Sequence, residues 1–156
     1  MPAIDLHHLA IKTDDVDATV EFWNNVIGSH SVDRPDFGFP GAWLQFGETM
    51  IHLYGGETAL NKEGGHDRGS AAIDHVALSA RGFDEMRTLF DEKKLPWRQM
   101  DISSFHLWQL FLHDPNGVLV ELNFDARQEP PGSAGPDGNN VYDPGNFEVA
   151  TVRQQT

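Results

Sequence analysis

Residues 114–124 read Asp-Pro-Asn-Gly-Val-Leu-Val-Glu-Leu-Asn-Phe, a tight turn followed by an apolar strand that carries one carboxylate. Proline fixes φ in the turn and glycine permits a positive φ, so the chain reverses there at little cost. Side chains alternate across a strand, which places Leu119, Glu121 and Asn123 on one face. An ionised carboxylate among apolar neighbours needs a partner, and a cation or a metal ion is the usual one. A single such Glu121 is more simply an outward-facing residue of a half-exposed sheet, so its meaning depends on the rest of the chain.

The composition limits the class of protein and the kinds of partner. At 156 residues, 39% hydrophobic and 10% aromatic, the chain can bury one core or two small half-domains that share one. A net charge of −13 argues against nucleic acid and anionic membrane surfaces as partners. With no cysteine, any metal must be held by His, Asp or Glu. No basic stretch leads into an apolar run at the N-terminus and no stretch approaches the ~20 apolar residues of a membrane span, so we expect a cytoplasmic protein.

The first third of the chain predicts a βαβββ unit. A strand at 5–12 carries His8 on the face opposite Leu9 and Ile11. Capping residues at 13–15 precede apolar residues at helical spacing, and Gly28 ends that helix. Strands follow at 29–34, 42–46 and 50–54, and the last of them carries His52.

The same pattern returns after a Gly-, Asn- and charge-rich linker at 55–72. Residues 73–78 read Ile-Asp-His-Val-Ala-Leu and match Leu-His-His-Leu-Ala-Ile at 6–11 position by position. A helix at 83–90, strands at 96–102 and 106–113, and the strand of Glu121 complete the second unit. His75 follows His8 by 67 residues and Glu121 follows His52 by 69, so the two ends of the unit repeat with nearly one period. We therefore predict an α+β fold of two tandem βαβββ modules, at 1–54 and 73–125, produced by duplication.

The C-terminal residues 126–156 do not follow the module pattern. Pro, Gly, Asn, Asp and Gln dominate as far as Asn146, and a short apolar alternation of Phe147, Val149 and Val152 follows. Such a composition does not bury enough surface to fold by itself. We expect this tail to be disordered or to lie over a partner subunit.

The duplication places four polar side chains at equivalent positions of the two units. His8 and His75 lie on the first strands, and His52 and Glu121 lie on the last. If the modules pair about a pseudo-twofold axis, the four side chains converge in one cavity, and three imidazoles with one carboxylate suit a divalent transition metal. A single histidine is more often a core or surface residue, but the repeat-related positions favour a metal site for the set.

The paired starts His-Leu-Ala-Ile and His-Val-Ala-Leu, together with Asp-Pro-Asn-Gly-x-x-x-Glu-Leu, resemble the vicinal oxygen chelate superfamily over about residues 4–125. This superfamily includes glyoxalase I, methylmalonyl-CoA epimerase, fosfomycin-resistance enzymes and extradiol dioxygenases. The resemblance implies curved sheets around a cleft that holds one divalent metal per chain (Ni, Zn, Mn or Fe), and a homodimer. By position, His8, His75 and Glu121 match its recurrent ligands. His52 stands where glyoxalase I has Glu and the epimerase has Gln.

Three functions follow from the resemblance. A glyoxalase-like isomerase or lyase acting on a small substrate with adjacent oxygens is the preferred one, with His52 or Glu121 as the acid–base group. An extradiol dioxygenase is the first alternative, because His8, His75 and Glu121 form a two-His, one-carboxylate triad. Those enzymes usually carry a Tyr ten residues before the ligand Glu, where this chain has Phe111. The second alternative is a resistance protein that sequesters its ligand without a metal.

Overall fold

The computed structural model describes residues 5–144 and 146–148, which divide into two compact units. The first unit runs to Gly69 and also includes Asp114–Asn116, and the second comprises Ser70–His113 and the chain from Gly117 onward. Within the described residues, no helix is both long and apolar enough to cross a membrane.

The first unit is a four-stranded sheet with one helix. Its elements are β1 (His8–Lys12), α1 (Val16–Phe22) with a π-helical continuation (Trp23–Ile27), β2 (His30–Val32), β3 (Gly41–Phe46) and β4 (Thr49–Tyr54). The strand order is β1-β4-β3-β2, with β1 parallel to β4 and the other neighbours antiparallel. This is the βαβββ unit that the sequence predicts, although β1 and β2 are shorter than expected.

Local chemistry explains where the helix of the first unit begins and ends. The Asp15 carboxylate accepts a hydrogen bond from the Ala18 backbone N–H at 2.9 Å, which caps the helix N-terminus. Gly28 ends the helix with a left-handed φ of 96°. The helix covers one face of the sheet, and the buried side chains there include Ile11, Leu44 and Ile51. Because side chains alternate, the opposite face carries the polar residues of β1 and β4.

The second unit repeats this topology. Its elements are β5 (Val76–Ser79), α2 (Phe83–Glu92), β6 (Trp97–Ile102), β7 (Leu107–His113) and β8 (Leu119–Asp125), in the order β5-β8-β7-β6. β5 is parallel to β8, as β1 is to β4. The fully buried Phe83, Phe90 and Phe124 form the layer between α2 and the sheet. The prediction of two tandem βαβββ modules is confirmed.

The Asp-Pro-Asn-Gly turn has a role that its sequence does not indicate. Asp114–Asn116 belong to the first unit, although in the chain they lie between β7 and β8. The Trp23 indole N–H donates to Asp114 at 3.3 Å, and the Asn116 amide donates to the Thr19 hydroxyl at 3.1 Å. These partners are buried side chains of the first helical segment, so the turn is a packing element as well as a reversal.

Over its described part, the C-terminal tail packs against β6 and β7 of its own unit. Gln99 of β6 exchanges two backbone hydrogen bonds with Asn140 and Tyr142, each of 2.8 Å. The Tyr142 ring stacks on Phe111 with centroids 3.8 Å apart. The expected disorder is therefore wrong for the described residues, because backbone pairing with β6 and one stacked aromatic ring hold them. Contact of the tail with a partner subunit stays a prediction. Two positions of the terminal apolar alternation lie outside the described residues: Val149 and Val152.

A second contact ties the tail to the helix of its own unit. Gly82 precedes α2 and provides no side-chain cap, and the Glu129 carboxylate accepts from the backbone N–H groups of Gly82 and Phe83 at 3.1 and 2.8 Å. An anion at this position satisfies two N–H groups and complements the helix dipole. The tail therefore supplies the cap that the helix lacks.

Candidate metal and substrate site

The structure brings His75 and Glu121 together in the second unit. His75 Nε2 lies 3.2 Å from Glu121 Oε2, and His75 Nδ1 lies 2.7 Å from the Asp74 carboxylate. If Nδ1–H donates to Asp74, then Nε2 and Oε2 are two acceptors that face each other. Either a proton or a metal ion must lie between them for this arrangement to be favourable. Metal-binding histidines typically donate their second ring N–H to a carboxylate, and Asp74 is in the position to accept such a hydrogen bond from His75.

Glu121 is a buried carboxylate with one oxygen already occupied. Its Oε1 accepts from the amide groups of Gln109 and Asn123, each at 2.8 Å, while the residue is 8% exposed. Gln109 also donates to Asn123 at 2.9 Å, so the three side chains form one network. Two amide donors therefore hold Oε1 and leave Oε2 directed at His75.

The other pair, His8 and His52, lies in the first unit. Their rings stack with centroids 3.9 Å apart, and Trp43 stacks on His52 at 4.5 Å. His52 is buried, and its buried Nε2 finds no hydrogen-bond partner in the described part of the chain. Burial lowers the pKa of His52, and the neighbouring charges of His8, His7 and Arg34 lower it further. His52 is therefore a neutral imidazole with a free nitrogen, the form in which histidine binds metals and accepts protons.

His7 lies beside His8, although strand alternation places it on the opposite face. The two Nδ1 atoms are 2.9 Å apart and share a hydrogen bond whose donor depends on the tautomer. β1 begins at His8, so the alternation does not extend back to His7. The His7 side chain can fix the tautomer of His8, which is the role of a partner behind a ligand.

The His75–Glu121 pair has the spacing of two ligands of one metal ion. The separation of 3.2 Å between His75 Nε2 and Glu121 Oε2 suits two ligands of one small ion, since ligand atoms about 2.0–2.2 Å from a metal lie about 3 Å from each other. The buried Nε2 of His52 is an unused ligand atom. Among the described residues, no group of three or more His, Asp or Glu side chains is placed to hold a metal ion. The structure thus gathers the four candidates as two pairs, and their convergence stays a prediction.

The face of the second sheet that carries Glu121 also bounds a cavity. The cavity has a volume of about 450 Å³, and Ser79, Asn123 and Asp125 are among its lining residues. Asn123 bonds Glu121 and also lines the cavity, so it connects the carboxylate to a space that a small substrate can occupy.

Tyr142 of the tail packs on Phe111, the cross-strand neighbour of Glu121. Phe111 pairs with Glu121 across β7 and β8, and Tyr142 stacks on Phe111. Burial raises the pKa of Tyr142, as do the negative charges of Asp74 and Glu121. The phenol therefore stays protonated next to the carboxylate. Sequence reasoning missed this residue because nothing in the tail's composition indicates which surface it contacts.

Comparisons with known proteins agree with this architecture. Residues 5–122 match the family model described as Glyoxalase/Bleomycin resistance protein/Dioxygenase superfamily. The chain is 31% identical over 130 residues to the Arabidopsis thaliana protein named Glyoxylase I 4, covering 75% of this chain and 68% of that relative. It is 26% identical over 133 residues to the mitochondrial methylmalonyl-CoA epimerase of Mus musculus, covering 75% and 71%.

A solved structure supports the fold independently of sequence. The crystal structure of lactoylglutathione lyase from Agrobacterium tumefaciens matches with a TM-score of 0.60 at 19% identity, covering 82% of this chain and 98% of that one. At such an identity the match demonstrates a shared fold and nothing finer.

Proposed function

Because the chain belongs to the Glyoxalase/Bleomycin resistance protein/Dioxygenase superfamily, we propose that it is a divalent-metal-dependent isomerase or lyase of the glyoxalase type. Its substrate is a small molecule with two adjacent oxygen atoms. The observation that carries the proposal is the His75–Glu121 pair, in which two ligand atoms face each other at 3.2 Å and each residue has a polar partner behind it. The relatives named glyoxylase and epimerase support an enzyme over a sequestering protein.

The proposed ligands are His8, His52, His75 and Glu121, which together hold one divalent transition metal. A structural or catalytic metal needs at least three protein ligands, so neither pair is sufficient alone. When bound, the metal supplies Lewis-acid polarisation of a substrate oxygen. The two pairs supply three neutral or neutralisable imidazoles and one anion, a donor set that suits nickel, zinc, manganese or iron.

The chain's own residues supply proton transfer and orientation. Burial lowers the pKa of His52, and its Nε2 has no hydrogen-bond partner among the described residues, so on leaving the metal it would accept a proton from a carbon next to a carbonyl. Glu121 is the second candidate base, because its Oε1 is fixed by amides while its Oε2 is available. Asn123 orients Glu121 through a hydrogen bond of 2.8 Å and is also a lining residue of the cavity in the second unit.

The test is turnover by protein loaded with defined metals. Nickel- or zinc-loaded protein should convert hemithioacetals or related 2-oxo compounds, because neither role of His52 requires the metal to change oxidation state. Iron-loaded protein given a panel of catechols should consume no oxygen. Stoichiometric oxygen uptake with ring opening would replace this proposal by the dioxygenase, and a protein that takes up no metal under any condition would favour ligand sequestration.

A further inference from the structure

Arg34, in the first unit, has no hydrogen-bond or ion-pair partner among the residues that the structure describes. It follows β2, and its Nε and Nη2 atoms are buried and make no hydrogen bond. Its guanidinium carbon lies over the rings of Phe37 and Phe39 at 4.9 and 4.7 Å. Within the described part of the chain, none of the ion pairs involves Arg34, although the sequence has 24 acidic residues and only 11 basic ones. With more than twice as many acidic as basic residues in the chain, an arginine would be expected to have a carboxylate partner.

Among the described residues, two other arginines lie over aromatic rings, and both differ from Arg34. Arg87 lies 5.0 Å from the Phe83 ring centroid and also forms an ion pair with Asp84 at 3.0 Å. Arg98 lies over Phe147, and its Nη1 donates to the Trp97 carbonyl at 2.9 Å. A structural cation–π contact in this protein therefore comes with a hydrogen-bond acceptor. At Arg34 the aromatic contact is present and the acceptor is missing.

The residues around Arg34 leave space for its guanidinium group, and aromatic rings extend from there to His52. Any side chain at Gly41 would collide with the Leu53 carbonyl and crowd Arg34 Nη2, so glycine there leaves room for the charge. Phe37 lies 6.1 Å from Trp43, which in turn stacks on His52 at 4.5 Å. A continuous aromatic surface thus connects the unpaired cation with a proposed metal ligand.

We propose that Arg34 binds the carboxylate of the substrate, which is an organic acid with a planar, unsaturated or aromatic body. This inference deepens the proposed function, since it names the substrate class of the same site. A buried cation is stabilised by a hydrogen-bonded anion, and the planar guanidinium fork matches a carboxylate. The flat body of the acid packs on the rings of Phe37, Phe39 and Trp43. Phe37 is 51% exposed, so this end of the aromatic surface is open to solvent.

The experiment compares ligands that differ in one charge. Full-length protein, treated with a chelator so that no metal contributes, is titrated with benzoate, with the neutral benzamide and with phenyl phosphate by ligand-observed NMR. Benzoate should bind more tightly than benzamide by roughly ten- to a hundredfold, the range for hydrogen bonds to charged groups. Arg34→Gln should abolish the preference and Arg34→Lys should retain part of it. Lys62→Gln removes the same charge from an exposed linker residue and should leave the preference intact.

The possible results distinguish failure of the Arg34 anion site from failure of the proposed metal-dependent function. If the protein binds no metal but the benzoate preference depends on Arg34, the proposed function fails and the anion site stands. Equal binding of benzoate and benzamide by the wild type overturns the anion site without any variant having to fold. A preference that survives Arg34→Gln, or that appears only after metal is restored, also overturns it. Tighter binding of phenyl phosphate than of benzoate would overturn the carboxylate assignment.

Discussion

Replacing Glu121 with Gln tests the metal site with little disturbance of the fold. The amide oxygen of the glutamine can still accept from Gln109 and Asn123, which hold Glu121 Oε1 at 2.8 Å. The amide nitrogen then stands where Oε2 faces His75 Nε2. That nitrogen is a donor and not a ligand, so the substitution removes the anionic ligand and directs a hydrogen at the proposed metal position.

The expected magnitude follows from these contacts. Loss of a partner behind a ligand typically lowers metal affinity 10–100-fold. Glu121 is proposed as a direct ligand, so its loss should lower affinity by at least about 100-fold, or about 2.7 kcal/mol at 1.36 kcal/mol per tenfold. Stability of the metal-free protein should change much less, because every hydrogen bond to Oε1 has a counterpart in the variant.

The measurement is calorimetric titration of zinc or nickel into metal-free wild type and variant, beside urea unfolding without metal. Glu92→Gln is the matched control, since it makes the same chemical change at an exposed position of α2 and should keep wild-type affinity. Unchanged stoichiometry and affinity in Glu121→Gln would refute the assignment of Glu121 as a ligand. A large loss of metal-free stability would show instead that the His75–Glu121 contact is a structural ion pair.

Four further outcomes are expected. Sedimentation at micromolar concentration should show a homodimer, and a single species of 17.4 kDa would contradict that. Removing His52 should lower the rate by roughly 10²–10⁴-fold if it is the acid–base group, as measured by steady-state turnover. Burial lowers the pKa of His52 below its usual 6.5, so below that pH the unfolded chain binds more protons at this residue than the folded chain does. The free energy of unfolding should therefore fall as the pH drops below 6.5. A free energy of unfolding that does not change with pH would contradict this. Glu129→Ala should destabilise the protein by about 1–3 kcal/mol in urea unfolding, since it leaves buried N–H groups without an acceptor, and Glu129→Gln should cost less.

The fold could be predicted from the sequence because the alternation of apolar residues and the internal repeat indicate the same arrangement of strands. Alternation located the strands, and the match between residues 6–11 and 73–78 showed that one unit occurs twice. The docking of Asp114–Asn116 against the first helical segment was not accessible, because a turn motif specifies local backbone geometry and carries no information on distant partners. The position of the tail was missed for the same reason, since Tyr142 gives no local sign that it stacks on Phe111.

The sequence predicts the two pairs of candidate ligands, but it does not predict the residues that hydrogen-bond to them. Parallel pairing of the first and last strands of each unit places their polar side chains side by side, which is why His8 meets His52 and His75 meets Glu121. Gln109 was missed because a polar residue in a strand is ordinarily taken to face solvent, and only the register shows that it lies across from Asn123. Side-chain networks of this kind depend on register, which a single sequence specifies weakly.

The difference between the two equivalent positions, His52 and Glu121, has a physical reason in the charge around each. Glu121 lies among amide donors and next to His75, so an anion there is stabilised and free to bind a cation. His52 lies within the influence of the Arg34 charge. A glutamate at position 52 would form an ion pair with Arg34. Its carboxylate would then not be available to bind a metal, and Arg34 would not be available to bind an anion. A neutral imidazole avoids this, because it keeps a lone pair for the metal or a proton and leaves Arg34 available to an anionic substrate. On this reasoning a neutral imidazole at position 52 is compatible with an unpaired Arg34, and a carboxylate there is not.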